Sequence, residues 1–328
     1  MDGLVSVLIP CYNGEKFLDR CFNYLLLQDY QQVEIIFIND GSTDNSEIIV
    51  EKYKQKFKDR NYDFIYLRQE NQGAAAAINK ALKYVNGEYI MLYDVDDILM
   101  PQAISKKAIF LNKNKDFGMV RNNGYYVNDI DTNIILKRFT DDINEKNNQF
   151  IFEDLALAKT NNWPGSFMVR TEVLFKYIKN KEIYVSQFGQ NLQIMMPVAY
   201  FSKSGYIDEC LMKYVRHNDS HSAFTSTERE LNLYSGYEKN RIEIIKSLDI
   251  PIKEKELYIR NINVMYSRIR MHIGYRVKDY NLLQEEYNKI ERMHMVSIED
   301  TKLYIRSKNR LYDILCRFNN FFKTIIKR

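Results

Sequence analysis

The first 120 residues alternate between two hydrophobic periods, and this alternation constrains the fold more than any other feature of the chain. "LVSVLIP" (4–10) is a short β-branched run ending at a proline, and "EKFLDRCFNYLLLQ" after it carries Phe17, Leu18, Cys21 and Leu25 at helical spacing. "VEIIFIND" (33–40) reads as a continuous apolar strand. Its successor "DNSEIIVEKYKQKF" opens with Asp44 and Glu47, a capping-box-like pair, and should bury Ile49, Val50, Tyr53 and Phe57. "FIYLR" (64–68) leads into the alanine-rich helix "GAAAAINKALKYV", and "EYIMLYD" follows. Strand and helix thus alternate with short connections, which predicts an α/β fold: a mostly parallel sheet flanked by helices. In such sheets ligands bind outside the carboxyl ends of the strands.

That rule gives a set of acids and small polar residues one address. "EYIMLYDVDDIL" (88–99) is an apolar run that ends in Asp94, Asp96 and Asp97. Like charges this close repel, so they need a cation or a set of donors to hold them together. Asp40 ends the second strand, and Pro10, Tyr12 and Asn13 close and follow the first, so all should converge on the same rim. "NDGSTDNS" adds a helix N-terminus there, which suits a phosphate or sugar hydroxyls. The plainer readings are an ordinary capped turn for "GSTD" and a solvated loop for "DVDD". Three acids after an uninterrupted buried strand argue against the second. Carboxylate oxygens without nearby Cys or paired His favour Mg²⁺ or Mn²⁺ over zinc. Such ions take their remaining ligands from water and substrate phosphates, so the implied substrate is a diphosphate. No "GxxxxGK[ST]" or "GxGxxG" follows any strand, which removes the main support for ATPase, kinase or dinucleotide-dependent dehydrogenase chemistry.

Composition bounds the remainder. With 328 residues, 45% of them hydrophobic, the chain can build one large domain or a domain with an appendage, and disorder is excluded. A net charge of +4 is too small to call for a nucleic-acid partner. Cys11, Cys21, Cys210 and Cys316 are scattered without metal-ligand spacing and read as reduced thiols of a cytoplasmic protein. The N-terminus has no basic n-region, and no apolar stretch approaches the roughly 18 residues of a membrane span, so neither a signal peptide nor a transmembrane helix is expected.

"VSVLIPCYNGEKFLDRCFNYLLLQDY", "VEIIFINDGSTDNS", "ENQGAAAAINKAL" and "GEYIMLYDVDDIL" together resemble the successive signatures of the family 2 glycosyltransferases with the A-type fold, in particular those of bacterial surface-polysaccharide synthesis. The resemblance covers about residues 4 to 112 in unbroken order and continues more weakly to about residue 222. It implies transfer of a sugar from a nucleotide-diphosphate donor, usually UDP-linked, with inversion at the anomeric carbon and help from Mn²⁺ or Mg²⁺. Carried over position by position, it places Pro10, Tyr12, Asn13 and Asp40 around the nucleotide base, with Tyr12 stacking and Asp40 accepting a base N–H. Asn71, Gln72 and Gly73 match a loop passing near the donor. Asp94 and Asp96 match the aspartate-any-aspartate motif, one carboxylate for the ribose and the other for the metal on the pyrophosphate, and Asp97 matches a further acidic position. "KYVRHNDSHS" resembles the family's Tyr-Arg-x-His loop and makes His217 a metal or phosphate ligand, His221 less so. A lone histidine also has the ordinary structural reading.

One departure stands out. Where inverting members carry a Glu-Asp pair ahead of a helix, this chain reads "FGQNLQIMMPVAY", with Gln190 and Asn191 in the catalytic place. An amide takes no proton, so either another carboxylate serves as base, with Glu153, Asp154, Asp208 and Glu209 the acids to test, or the acceptor is positioned by hydrogen bonds and the base comes from elsewhere. A catalytically silent sugar-nucleotide-binding or scaffold protein stays open as the alternative. "NNWPGSFMVRTEVLF" (161–175) falls where the family presents its acceptor, a glycan or lipid-linked oligosaccharide. There Trp163 and Gly165 are acceptor-facing candidates, although a lone Trp also fits a core anchor.

After residue 225 glycine and proline almost vanish. The expected organisation is a glycosyltransferase domain over 1–225 and an α-helical region over 226–328. The last segment, "NRLYDILCRFNNFFKTIIKR", carries Leu311, Ile314, Leu315, Phe318, Phe321, Phe322, Ile325 and Ile326 on one face, flanked by Arg306, Lys308, Arg310, Arg317, Lys323, Lys327 and Arg328. A basic amphipathic helix of this kind suits an anionic membrane surface and peripheral attachment to the inner face of the plasma membrane. The same stripe would also pack on neighbouring helices or across a homodimer.

Overall fold

The computed structural model describes residues 3–217, 226–309 and 313. The chain divides into two compact units, one of residues 1–223 with 246–249 and one of 224–245 with 250–328.

The first unit is built on a nine-stranded sheet. Strands β1 (Val5–Cys11), β2 (Val33–Asp40), β3 (Asp63–Gln69) and β4 (Tyr89–Leu92) alternate with helices α1 (Glu15–Leu26), α2 (Ser46–Asp59) and α3 (Ala74–Leu82). The chain continues through β5 (Ile98–Leu99), α4 (Ala103–Lys113), β6 (Phe117–Asn128) and β7 (Ile135–Arg138). After the short helices α5 (Ile143–Asn147) and α6 (Phe152–Ala156) come β8 (Phe167–Arg170), α7 (Thr171–Tyr177), α8 (Leu192–Phe201) and β9 (Lys203–Arg216). The order across the sheet is β3-β2-β1-β4-β8-β6-β9-β5, with β7 paired to β6. The β3-β2-β1-β4 half is parallel throughout, as the alternation predicts. The other half is mixed: β8 runs antiparallel to β4 and β6, whereas β6 and β9 run parallel from Phe117↔Lys203 to Asn128↔Arg216.

All eight residues of β2 are buried, the expected state of an interior parallel strand covered on both faces. Ile35 and Phe37 point into a core shared with Phe22 of α1 and Tyr53 and Phe57 of α2. Phe22 stands edge-on to Phe37 and Phe57 at 5.6 and 5.4 Å between ring centroids, a favoured aromatic geometry. The capping-box expectation for Asp44 and Glu47 is corrected by one residue of register, the N-cap being Asn45. Helix α2 begins at Ser46, so Glu47 lies too early to reach back and pairs instead with Arg68 at 3.0 Å. Asp44 accepts from Ser46 N at 3.0 Å and from Glu15 N at 2.9 Å, while the Glu15 carboxylate accepts from Asn45 N and Nδ2. The starts of α1 and α2 are thereby tied to each other.

The second unit is helical: α9 (Thr227–Ser247), α10 (Ile252–Val277), α11 (Tyr280–Arg292) and α12 (Ile298–Lys308). Its core joins Val264, Met271, Leu283, Ile290 and Leu303. Lys278, in the left-handed region at φ 64°, and Asp279, whose side chain caps Leu282 N, turn α10 into α11. Helix α12 is one the sequence reading did not separate. Ser297 and Asp300 form a reciprocal capping box at its start. Arg306 and Lys308, assigned from sequence to the final basic segment, belong to α12, and the residues after Asn309, apart from Asp313, lie outside the described residues. Among the described residues no helix is long and apolar enough to cross a membrane.

Candidate active site

The carboxyl ends of β1, β2 and β4 meet at one rim, and the residues beyond each end are held there by polar contacts. Beyond β1, Tyr12 is half exposed and Asn13 adopts φ 50°. Asn13 N donates to Ser42 Oγ at 2.9 Å and its Oδ1 accepts from Thr43 N at 2.8 Å, so the loops after β1 and β2 brace one another. Asp40 is buried at the end of β2. Its carboxylate accepts from Gln69 Nε2 at 2.8 Å, Gln72 N at 3.0 Å and Gly73 N at 2.8 Å. These bonds fix the 69–73 loop, in which Gly73 takes φ +87°, a conformation glycine adopts without strain. Asn71 and Gln72 are exposed on that loop.

Beyond β4, the acidic turn is ordered from within. Asp97 is buried, and its Oδ1 accepts from Val215 N of β9 at 3.0 Å. Its other oxygen is buried with no hydrogen-bond partner among the described residues. Asp94 Oδ1 lies 3.4 Å from Gln190 Nε2, and Arg20 donates to the backbone carbonyl of Asp96. One carboxylate oxygen from each of Asp94, Asp96 and Asp97 lies within 4.8 Å of the other two. Burial, reinforced by the Asp96 charge, pushes the Asp94 carboxyl up to about 8 and lifts Asp97 well above the usual carboxylate range. Such a cluster repels its own charge, and a divalent cation relieves that repulsion. The oxygen-only donor set and the orphaned Asp97 oxygen fit Mg²⁺ or Mn²⁺.

His217 stands just past β9, beside this turn. Its Nε2 lies 3.8 Å from Asp96 Oδ2, and its Nδ1 lies 3.5 Å from Asp129 Oδ2. The ring packs on Phe17 at 5.1 Å. Asp129 was not singled out from sequence; the available signal was an acid directly after a strand, in "YYVND".

Asn191 is the N-cap of α8, and its Oδ1 is buried without a hydrogen-bond partner among the described residues. Gln190 brings the amide pair against the acidic turn through Asp94. The four acids considered as replacement bases are all engaged. Asp208 accepts from Lys146 and Arg138 at 2.8 Å and from Asn123 at 2.9 Å, and the Lys146 bond leads in holding its carboxyl below the usual range. Glu209 pairs with Lys106, Glu153 with Lys159, and Asp154 accepts from Asn148.

Trp163 is half-buried. Its Nε1 donates to Tyr126 Oη at 3.0 Å and its ring lies against Tyr214 at 4.4 Å. Gly165, at φ +82°, donates from N to Leu92 O at 2.6 Å, which fastens the 163–166 segment to the end of β4. Its carbonyl accepts from Lys107 Nζ at 2.9 Å. That lysine is fully buried with Asn122 Oδ1 as its other acceptor at 2.8 Å. Lys107 is a second residue missed from sequence, where it reads as one more basic position of a helix.

A parallel half-sheet whose carboxyl rim gathers an open tyrosine, a clamped glycine loop and an acidic turn has the ligand-binding arrangement of the α/β class. The model described as "Glycosyl transferase family 2" matches residues 6–177, and the chain belongs to that family of glycosyltransferases. A processive diacylglycerol beta-glycosyltransferase of Mycoplasma genitalium is 25% identical over 342 residues, spanning 100% of this chain and 98% of the relative. The glycosyltransferase GlyG of Streptococcus pneumoniae is 27% identical over 314 residues, 92% of this chain and 94% of its own. Among solved structures, S. aureus TarS 1–349 in complex with UDP-GlcNAc superposes with a TM-score of 0.59 at 18% identity, over 93% of this chain and 79% of that one. The mannosyltransferase PcManGT of Pyrobaculum calidifontis, in complex with GDP-Man and Mn²⁺, gives 0.55 at 14% identity, over 96% and 83%. At these identities the structural matches establish the fold.

Proposed function

We propose that this glycosyltransferase moves a sugar from a UDP-sugar to a lipid-linked acceptor with inversion, aided by a divalent ion at the acidic turn. The observation that carries the reading is the turn itself, three carboxylates within reach of one ion, one with a buried oxygen lacking a partner. Support for UDP and for a lipid acceptor comes from the UDP-GlcNAc complex of TarS and from the full-length similarity to the diacylglycerol enzyme. In this reading Tyr12 stacks on the base, and the one lone-pair position that Asp40 has not committed to its own loop accepts a base N–H. Asp94 meets the ribose, Asp96 and His217 hold the ion, and Asp97 keeps the turn in place. A bound Mg²⁺ or Mn²⁺ offsets the charge that builds on the departing diphosphate.

Gln190 and Asn191 cannot take a proton, but they can orient a hydroxyl. Asn191 Oδ1, which has no hydrogen-bond partner among the described residues, accepts from the acceptor hydroxyl, and Trp163 and Gly165 are assigned to the acceptor side. Attachment to the inner leaflet rests on the basic, Phe-rich sequence of residues 306–328.

The test is nucleotide release from UDP-, GDP- and dTDP-sugars with and without Mn²⁺, using diacylglycerol-based and glycan acceptors. One donor turned over only with metal, and faster with a lipid acceptor, is the expected result. Equal rates in EDTA would overturn the metal assignment, and a glycan-only response would overturn the lipid one.

A further inference from the structure

We propose that Asp129 is the positioning residue that presents His217 to the cation, an inference that rests on the metal-assisted reading above. The sheet itself brings the two together. Strands β6 and β9 run parallel with Asn128 opposite Arg216, and Asp129 and His217 are the next residues on each. The backbone around Asp129 is held by a turn, Ile130 N donating to Asn128 Oδ1 at 2.8 Å, and by Asn128 N donating to Ile134 O at 3.3 Å. Asp129 Oδ2 then faces His217 Nδ1 at 3.5 Å, while the ring rests on Phe17.

A neutral imidazole has one N–H; both ring nitrogens face a carboxylate, and the proton goes to the nearer one, Asp129 at 3.5 Å against Asp96 at 3.8 Å, because a cation at the turn engages the Asp96 carboxylate. Asp129 therefore selects the Nδ1–H form. The lone pair falls on Nε2, which is buried, has no hydrogen-bond partner among the described residues and lies 3.8 Å from Asp96 Oδ2. This settles a choice that the sequence left open: with its proton committed to Asp129, His217 offers Nε2 to a cation rather than an N–H to a phosphate. Carboxylates behind ligating histidines act in this way, fixing tautomer and ring orientation and raising ligand basicity.

Mn²⁺ binding to the full chain in the presence of UDP, followed by the EPR signal of free Mn²⁺, tests the assignment without turnover. Asp129→Asn should weaken Mn²⁺ by about 10- to 100-fold, the usual effect of losing such a partner, and Asp129→Glu should recover most of it. In a His217→Ala background, Asp129→Asn should have no added effect. An unchanged Mn²⁺ affinity, or losses that multiply in the double variant, overturns the role of Asp129 while leaving the metal reading intact. A wild-type chain that binds no Mn²⁺ with UDP overturns both. The tautomer gives an independent readout, because the chain has 4 histidines and His217→Ala assigns the ring ¹⁵N signals. Nδ1–H in the wild type and its loss in Asp129→Asn are expected, and an Nε2–H wild type overturns the proposal.

Discussion

At the scale of single residues, the acids of the turn divide the work by exposure. Asp97 is fully buried and committed to β9, whereas Asp96 keeps 38% of its side chain open at the rim. In the proposed mechanism, replacing Asp96 by Asn removes a charge where the diphosphate departs but leaves the packing alone. Asp96→Asn should therefore lower transfer by roughly three decades, about 4 kcal/mol of barrier, with the melting temperature little changed. A variant keeping more than a tenth of wild-type activity sinks this assignment. Lys107 carries a different consequence. Its Nζ has two acceptors, which match the two N–H bonds of a neutral amine, and burial pushes its pKa down to about 7. The unfolded chain holds that proton to about pH 10, so between pH 7 and 10 the unfolded state binds more protons and stability rises with pH. Thermal melts should show the wild type gaining stability from pH 7 to 9 and Lys107→Met losing most of that gain; parallel curves would count against it. Asp94, Asp96 and the glycine loop were legible as motifs because neighbours in sequence remain neighbours in space. Asp129 and Lys107 were not, since each acquires its meaning from a strand far along the chain.

At the scale of elements, the same distinction separates the two halves of the sheet. The run from β1 to β4 was readable because interior parallel strands are near-continuously apolar and the helices between them keep a clean 3.6 period. Strands β6 and β9 hide theirs. Arg121, Asn122 and Asn123 are buried in the middle of β6 and bonded to Thr160, Ser204, Lys107, Thr140 and Asp208, with Arg121 Nη2 left without a hydrogen-bond partner among the described residues, so the sequence there looks like a polar loop. Helix α12 was missed for another reason: its capping box sits inside a stretch of mixed charge with no strong apolar stripe. Strand β9 is also an element of the site, because Asp97 holds it to the acidic turn through Val215 N. Asp97→Ala leaves that buried N–H unpaired and should cost about 1–3 kcal/mol, whereas Asp97→Asn keeps an acceptor and should cost less. Urea unfolding of both variants decides this, and equal losses would mean that the charge, not the bond, is what matters. In the helical unit, Ser297→Ala should cost about 1 kcal/mol through loss of the cap, measurable by the same method.

At the scale of the whole molecule, the proposed attachment to a membrane rests on the basic sequence of residues 306–328. Flotation with anionic vesicles should show salt-sensitive binding, with about 1 kcal/mol from each basic group near the surface, and removal of 306–328 should abolish it. Equal binding by the shortened chain would place the contact elsewhere. The sheet order carries a further consequence. The family signature ends at residue 177, yet β9, residues 203–216, lies inside the sheet between β6 and β5 and pairs with β6 along its length. A ribosome must synthesise more than 200 residues before the interior of this sheet can close, and pairings that join distant parts of a chain form slowly. Until then, β6 presents an open edge with buried-type polar residues to the cell. The segment that evolution repeats as a family is therefore not the segment that folds, and a fragment stopped before Lys203 should remain aggregation-prone however complete its motifs are.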